Sequence, residues 1–370
     1  MNQDSLQKEI LDNIKPNPKG RLILAPRVGK TKLIISLIKR DKYKSILWVT
    51  PSRELADVDI QNEFIKWKAK SYIKKLTTTT YASLHKIIGK FDIIILDEDQ
   101  CITENNITNL LSGTLTSNAL IGMTGTNTKH TDKQLLYNSL NLPIIYSLDL
   151  DTAVDMNILS DYTINVVHVQ LDKRKNIQKT TKVGRKWYTS EYDNYSYINE
   201  LIRVHGTKQQ LVMKRLRAIG TSPSKEKVAS YLLKHLKDRT ICFCYDTEQT
   251  KKVCEHTYHS KTDNTDYLKF QNEEISHIAM VNKGGIGYTY LNLKHIIILQ
   301  ADSDKTGLST QKIARVLLKE DKNAVVWILC LDGTQDERWI NSLLSSFDEN
   351  KINRYTTADL PILIESYDKS

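Results

Sequence analysis

Two short clusters carry residue types that together could do phosphate chemistry. The first is Gly29-Lys30-Thr31, set between the apolar run Leu22-Ile23-Leu24 and a helical pattern over Lys32–Lys39. A glycine there lets backbone amides approach phosphate oxygens, and the following helix N-terminus adds partial positive charge. Lys30 can reach the β/γ-phosphates, and the Thr31 hydroxyl can ligate Mg²⁺. The full pattern G-x-x-x-x-G-K-[ST] is not met, because Leu24 stands where its first glycine would be. Arg27, in the middle of the loop, faces either phosphate or solvent. The second cluster is Asp97-Glu98, directly after the apolar run Phe91–Leu96. Asp97 suits a Mg²⁺ held through water, and Glu98 suits a base that orients the attacking water and accepts its proton. Two surface acids capping the next helix would look the same alone. With a GKT upstream, the nucleotide reading is favoured.

Such clusters need a frame. The chain predicts helix over Ser5–Ile14, strand at Leu22–Leu24, helix over Lys32–Lys39 and a buried strand over Ser45–Thr50. A β-rich run with a turn follows over Leu76–Leu84, then strands at Phe91–Leu96 and Ala119–Met123. Strands alternating with helical stretches argue for a parallel sheet covered on both faces. Ligands of such sheets sit at the carboxyl ends of the strands. The GKT, the acid pair, Pro51-Ser52-Arg53 and Thr124-Gly125-Thr126 all lie at those ends.

With 370 residues the chain is long enough for two domains. Its 40% hydrophobic and 26% charged content is that of a globular protein. No apolar run reaches bilayer length and the N-terminus is polar, so a cytoplasmic protein without a membrane partner is expected. The five cysteines lack metal-site spacing and read as reduced, mostly buried thiols. A net charge of +10 favours a polyanionic partner, nucleic acid before membrane.

After the helix-like segment and alternating strand that end near Leu171, the texture changes. Residues 172–186 are dense in Lys and Arg, and Trp187, Tyr188, Tyr192, Tyr195 and Tyr197 follow; Ile198–Ile219 reads as a helix with more basic residues along it. Phosphate contact with base stacking fits this mixture, and so does a solvated hairpin whose aromatics pack beneath it. A second α/β region begins near Ser222. It predicts a helix over Ser224–Leu236 and strands at Thr240–Tyr245, Ile278–Val281, Ile296–Gln300 and Ala324–Leu331. Gly284-Gly285-Ile286-Gly287 again follows a strand. Gln311 and Arg315, four apart in a helical pattern, share one face.

In order and spacing these signals resemble a superfamily 2 helicase or translocase over nearly the whole chain. Gln7 falls where that family has its adenine-reading glutamine. Gly29-Lys30-Thr31 is similar to motif I, Thr50-Pro51-Ser52-Arg53 to motif Ia, Thr79-Thr80-Tyr81 to motif Ib, Asp97-Glu98-Asp99-Gln100 to the DExx box, and Thr124-Gly125-Thr126 to the coupling motif III. In the second half, Phe243-Cys244-Tyr245 resembles motif IV, the turn ending in Lys261 motif IVa, Lys283-Gly284-Gly285-Ile286-Gly287 motif V, and Gln311 with Arg315 motif VI. Compact phage-encoded DEAD-like helicases are the nearest in pattern, with Swi/Snf-type features in Ser224-Lys225 and GGIG. Ala314 and Leu318 depart from motif VI, whose pattern is QxxGRxxR, and leave Arg315 as the matched arginine.

The resemblance implies an α/β fold of two tandem RecA-like domains with parallel sheets. The boundaries expected are a first lobe over 1–150, a connecting strand and basic, aromatic helical insertion over 151–222, a second lobe over 223–350 and a C-terminal tail over 351–370. It implies ATP and Mg²⁺ bound through Gln7, Arg27, Gly29, Lys30, Thr31, Asp97 and Gly287, with Lys30, Glu98, Gln311 and Arg315 catalytic. Nucleic acid would be held by Pro51, Ser52, Arg53, Thr80, Tyr81, Lys261, Lys283, Gly284 and Gly285. A monomeric, ATP-driven DNA motor is expected, in the host cytoplasm if phage-encoded. A duplex translocase that separates no strands, an RNA helicase and an ATP-switched clamp remain alternatives.

Overall fold

The computed structural model describes residues 2–368 apart from 54, 126–130, 181–183, 282–289, 291, 302–312 and 314–322. The chain divides into two compact units: one holds Met1–Ser160, and the other begins at Asp161 and includes Glu320–Ser370. No helix among the described residues is long and apolar enough to cross a membrane.

The first unit is a six-stranded parallel sheet of β1 (Lys19–Leu24), β2 (Ile46–Thr50), β3 (Leu76–Thr80), β4 (Gly89–Asp97), β5 (Leu115–Thr124) and β6 (Ile144–Leu148). Their spatial order is β3-β2-β4-β5-β1-β6. All five residues of β2, ILWVT, are buried, as expected for a strand covered on both faces. The covering helices are α1 (Gln3–Asn13), α2 (Lys30–Asp41), α3 (Ile60–Lys66), α4 (Glu104–Leu111), α5 (Thr131–Ser139) and α6 (Leu150–Asp155). The Asn2 side chain caps α1 by accepting from the Ser5 amide at 2.8 Å.

The second unit is a seven-stranded parallel sheet, in which β7 (Tyr162–Val169) is joined by β10 (Thr240–Phe243), β11 (Thr257–Tyr258), β12 (His277–Met280), β13 (His295–Ile298), β14 (Ala324–Leu331) and β15 (Ile352–Thr356). The order is β11-β12-β10-β13-β14-β7-β15. Every residue of β14, AVVWILCL, is buried. Between β7 and the rest of the sheet come the antiparallel hairpin β8 (Ile177–Thr180) and β9 (Lys186–Thr189), then α7 (Glu191–His205) and α8 (Gln209–Gly220). Helices α9 (Pro223–His235), α10 (Thr247–Val253) and α11 (Thr265–Gln271) follow, with two more at Gln335–Leu344 and Leu360–Asp368.

Three sequence expectations change. The strand expected to connect the domains is an inner strand of the second sheet, because its alternate face joins Val167 and Val169 to that unit's core. The helix expected over Ile198–Ile219 is two helices, and of the basic residues ahead of it Lys179 and Lys186 lie on a hairpin. Gly206, at φ +75°, ends α7 in a conformation that side chains disfavour. The segment after 350 is no tail. β15 pairs with β7 from Ile352 to Thr356, and Leu360 and Ile364 of the final helix enter the core.

Candidate nucleotide site

Along one edge of the first sheet, adjacent strands end in the residues singled out by type. β3 ends at Thr80, β2 at Thr50, β4 at Asp97 and β5 at Thr124, and β1 runs into the loop that carries Gly29-Lys30-Thr31. Parallel pairing makes this convergence, since every strand delivers its carboxyl end to the same side.

The loop is built to present amides. Gly29 has φ +87° and stands immediately before α2, whose N-terminus has no side-chain cap. The first N–H groups of α2 are therefore left for an anion. A Cβ at Gly29 would also come within 2.2 Å of Gln7 Nε2, so this position has no room for one. Gln7 is buried and its Nε2 donates to the carbonyls of Val28 (2.9 Å) and Gly29 (3.2 Å); Gln3 Nε2 donates to that of Arg27 at 2.9 Å. Helix α1 thus holds the loop at three consecutive carbonyls. Arg27 itself has φ +72°, an unfavourable conformation for a branched-off side chain and one that the loop maintains. Lys30 Nζ donates to Leu24 O at 3.4 Å, beside Gly125.

Asp97 lies opposite. Its Oδ2 accepts from Trp48 Nε1 at 3.3 Å, and the Tyr81 hydroxyl donates to its backbone carbonyl at 2.9 Å. Burial, then the neighbouring Glu98, push the Asp97 carboxyl up to about 7 against the opposing pull of Lys30 and Trp48. A carboxylate so short of positive charge, with a threonine hydroxyl at the start of α2, fits a hard divalent cation. Glu98 adopts φ +51°, ψ 60°, a left-handed conformation costing about 1–3 kcal/mol for such a residue. Its Oε2 accepts from Gln100 Nε2 at 3.0 Å, and Gln100 Oε1 accepts from the Thr124 hydroxyl at 2.6 Å. One amide therefore ties the end of β4 to the end of β5.

Asp99 has a different task. It receives Arg21 Nε at 2.7 Å and Nη2 at 2.9 Å, both partners almost wholly inaccessible, while the Arg21 guanidinium stacks 3.4 Å from the Tyr137 ring centre. Gly122 permits the approach, since a Cβ there would lie 2.4 Å from Asp99 Oδ2.

The structure sorts the remaining expected residues. Pro51, Ser52 and Arg53 follow β2, with Arg53 exposed, and Lys261 sits exposed in a turn of the second unit. Thr80 caps a short 3₁₀ turn by accepting from the Ser83 amide. Tyr81, expected to touch nucleic acid, instead has its ring in the first unit's core and its hydroxyl on Asp97. An aromatic after a β-rich run is equally at home inside or outside, so its type alone left this open. Lys225 is fully buried, donating to Leu299 O at 2.6 Å and paired with Asp336 at 2.5 Å. Thr126, Lys283, Gly284, Gly285, Gly287, Gln311 and Arg315 lie outside the described residues. Sequence reasoning did not find Trp48 or Arg21. Trp48 sits inside an apolar strand and Arg21 at the start of an apolar run, where nothing but the neighbouring strand reveals the partner.

Known structures share this architecture. The helicase domain of Pyrococcus furiosus Hef superposes with a TM-score of 0.51 at 13% identity, covering 92% of this chain and 97% of that one. S. cerevisiae Dbp5 bound to RNA and ADP BeF3 gives 0.61 at 12% identity, over 98% and 93%. The chain has the tandem RecA-like α/β fold that these structures share. The same fold covers 99% of this chain, at TM-score 0.61 and 14% identity, in the DNA-bound ATP-dependent Type ISP restriction-modification enzyme LlaBIII, of which it spans 32%. In sequence, the DNA 3'-5' translocase XPB2 of Sulfurisphaera tokodaii is 20% identical over 352 residues, covering 86% of this chain and 79% of its own. No family model matches. Within this fold, the strand ends described above are the edge where ligands of parallel sheets bind.

Proposed function

We infer that this chain is a nucleic-acid-dependent ATPase that couples hydrolysis to movement along DNA or to its remodelling. The observation carrying this is the hydrogen-bonded path from Glu98 through Gln100 to Thr124, which links a phosphate-binding edge to the next strand end. ATP is placed with its phosphates on the uncapped start of α2, where Gly29 and Lys30 meet the β/γ oxygens. Mg²⁺ held by Thr31 and Asp97 neutralises developing phosphate charge. Glu98 orients the attacking water and takes its proton, and Gln100 fixes the carboxylate that does so. Gln7, with Nε2 committed to the loop, has Oε1 to accept from an adenine amino group. On the motif match alone, Arg315 with Gln311 is proposed to stabilise the transferred charge, and Gly287 to line the nucleotide. Arg53, Thr80, Lys261, Lys283, Gly284 and Gly285 are proposed to contact phosphates of the strand.

DNA is the substrate the reading takes, supported by the similarity to a DNA translocase across most of the chain. Phosphate release measured in parallel with single-stranded, duplex and branched DNA and with RNA tests it; stimulation by DNA over RNA is expected. Lys30→Ala should lower the stimulated rate by about 100-fold or more. Unchanged turnover in that variant would refute the site.

A further inference from the structure

The segment between β7 and α9 concentrates the chain's charge. Residues 172–220 hold twelve Lys and Arg against four Asp and Glu, a net +8 in a chain whose total is +10. The acids there are largely committed. Asp172 pairs with Arg174 and Glu200 with Arg203. Glu191, buried, accepts from Ser222 Oγ at 2.7 Å, the Ser224 amide at 3.0 Å and the Asp172 amide at 2.8 Å.

Aromatic rings stand in this field partly exposed, with Lys173 Nζ 5.3 Å over the Tyr192 ring. Trp187, Tyr188, Tyr192 and Tyr197 are 47%, 57%, 47% and 64% exposed, whereas Tyr195 alone of the run packs into the core. Exposed rings gathered in one patch mark an interaction surface rather than fold-stabilising packing. Hairpin β8–β9 and one face each of α7 and α8, together with Pro223 of α9 and Lys252 of α10, line an open cavity of about 640 Å³. Trp187 and its cross-strand partner Lys179 line one wall, Tyr197 and Leu201 of α7 another, and Lys214 and Arg217 of α8 the third. No ion pair to Lys179, Lys214 or Arg217 is formed among the described residues. The volume falls in the range of ligand sites, roughly 300–1,000 Å³.

We propose that this cavity is a binding site for single-stranded nucleic acid, taking an unpaired base against Trp187 and Tyr197 while Lys179, Lys214 and Arg217 hold the flanking phosphates. The proposal rests on the nucleic-acid-dependent ATPase reading but uses none of its residues. Unpaired strand is the occupant because its bases have free faces to stack, whereas a duplex offers this cavity only phosphates. An acidic polypeptide would satisfy the cations and leave the aromatic faces idle. In the working protein the site would keep hold of a separated strand.

Fluorescence anisotropy with labelled oligo(dT), a blunt duplex of equal length and polyglutamate as competitor tests this on the full chain. Trp187→Ala should weaken oligo(dT) binding about 10-fold and Trp187→Phe should restore most of it. Lys214→Glu with Arg217→Glu should weaken it further and reduce the slope of log K against log salt by about 1.4, two single-strand phosphates' worth. Duplex affinity should change little with Trp187→Ala. Parent-like oligo(dT) binding by Trp187→Ala and by the double variant overturns the proposal. So do equal losses on the duplex, or displacement of oligo(dT) by polyglutamate at comparable concentration. Phosphate release by the parent protein, followed in the same samples, separates the two readings. Hydrolysis with insensitive variants sinks only the cavity, whereas a parent that neither hydrolyses ATP nor binds oligo(dT) sinks both.

Discussion

Gln100 is the side chain on which the nucleotide edge turns. Its amide spends its donor on Glu98 and its acceptor on Thr124, so it reports the position of one strand end to the other. Glu98 sits in a strained backbone conformation and relies on such neighbours for its aim. Gln100→Leu removes both bonds while keeping most of the volume. It should lower kcat of the stimulated ATPase by about 10–100-fold with little change in KM for ATP, because the lost contact acts on the base and not on the bound phosphates. Steady-state kinetics across ATP concentrations checks this. A rise in KM at constant kcat would place Gln100 in ATP binding instead. Asp99, its neighbour in sequence, shows how little a motif fixes by itself: the side chain one residue back from Gln100 is spent on a buried ion pair with Arg21.

At the scale of elements, the last twenty residues matter more than their composition suggests. β15 supplies the partner for the outer edge of β7, and the helix after it brings Leu360 and Ile364 into the core and stacks Tyr367 edge-on against Trp327 at 5.6 Å. Burying each aliphatic side chain is worth about 1.5–3 kcal/mol, and an uncovered edge strand invites pairing with other chains. Truncation after Asn350 should therefore destabilise the second unit by several kcal/mol and reduce soluble yield. Equilibrium unfolding of the truncated chain, beside sedimentation of the refolded product, measures both. The polar alternation INRYT hid this strand, since half of an edge strand faces solvent.

On the scale of the whole molecule, each unit has its own sheet and its own apolar cluster. Damage to one should leave the other's unfolding in place. Arg21→Met strands the Asp99 carboxylate in the first unit, which should cost that unit about 3–5 kcal/mol. Arg21→Met with Asp99→Leu should recover much of the loss, because the desolvated charge has gone as well. Guanidinium unfolding followed by two probes, one in each unit, should show a shift confined to the first. A matching shift in the second unit would mean that the chain unfolds as one cooperative block.

The linear chain determined the two-lobed α/β fold, the placing of Gly29-Lys30-Thr31 and Asp97-Glu98 at strand ends and the predominance of positive charge. Those properties rest on local apolar period and on glycine or charge at fixed offsets, which neighbours along the chain specify. Tertiary structure alone decided that Tyr81 supports Asp97 from inside the core, that Arg21 and Asp99 neutralise one another, and that Trp187 and Tyr197 face a cavity while Tyr195 does not. Each of those outcomes depends on which strand or helix lies alongside, a relation between residues as far as 78 positions apart. Side-chain type is compatible with either outcome there, and only packing selects one.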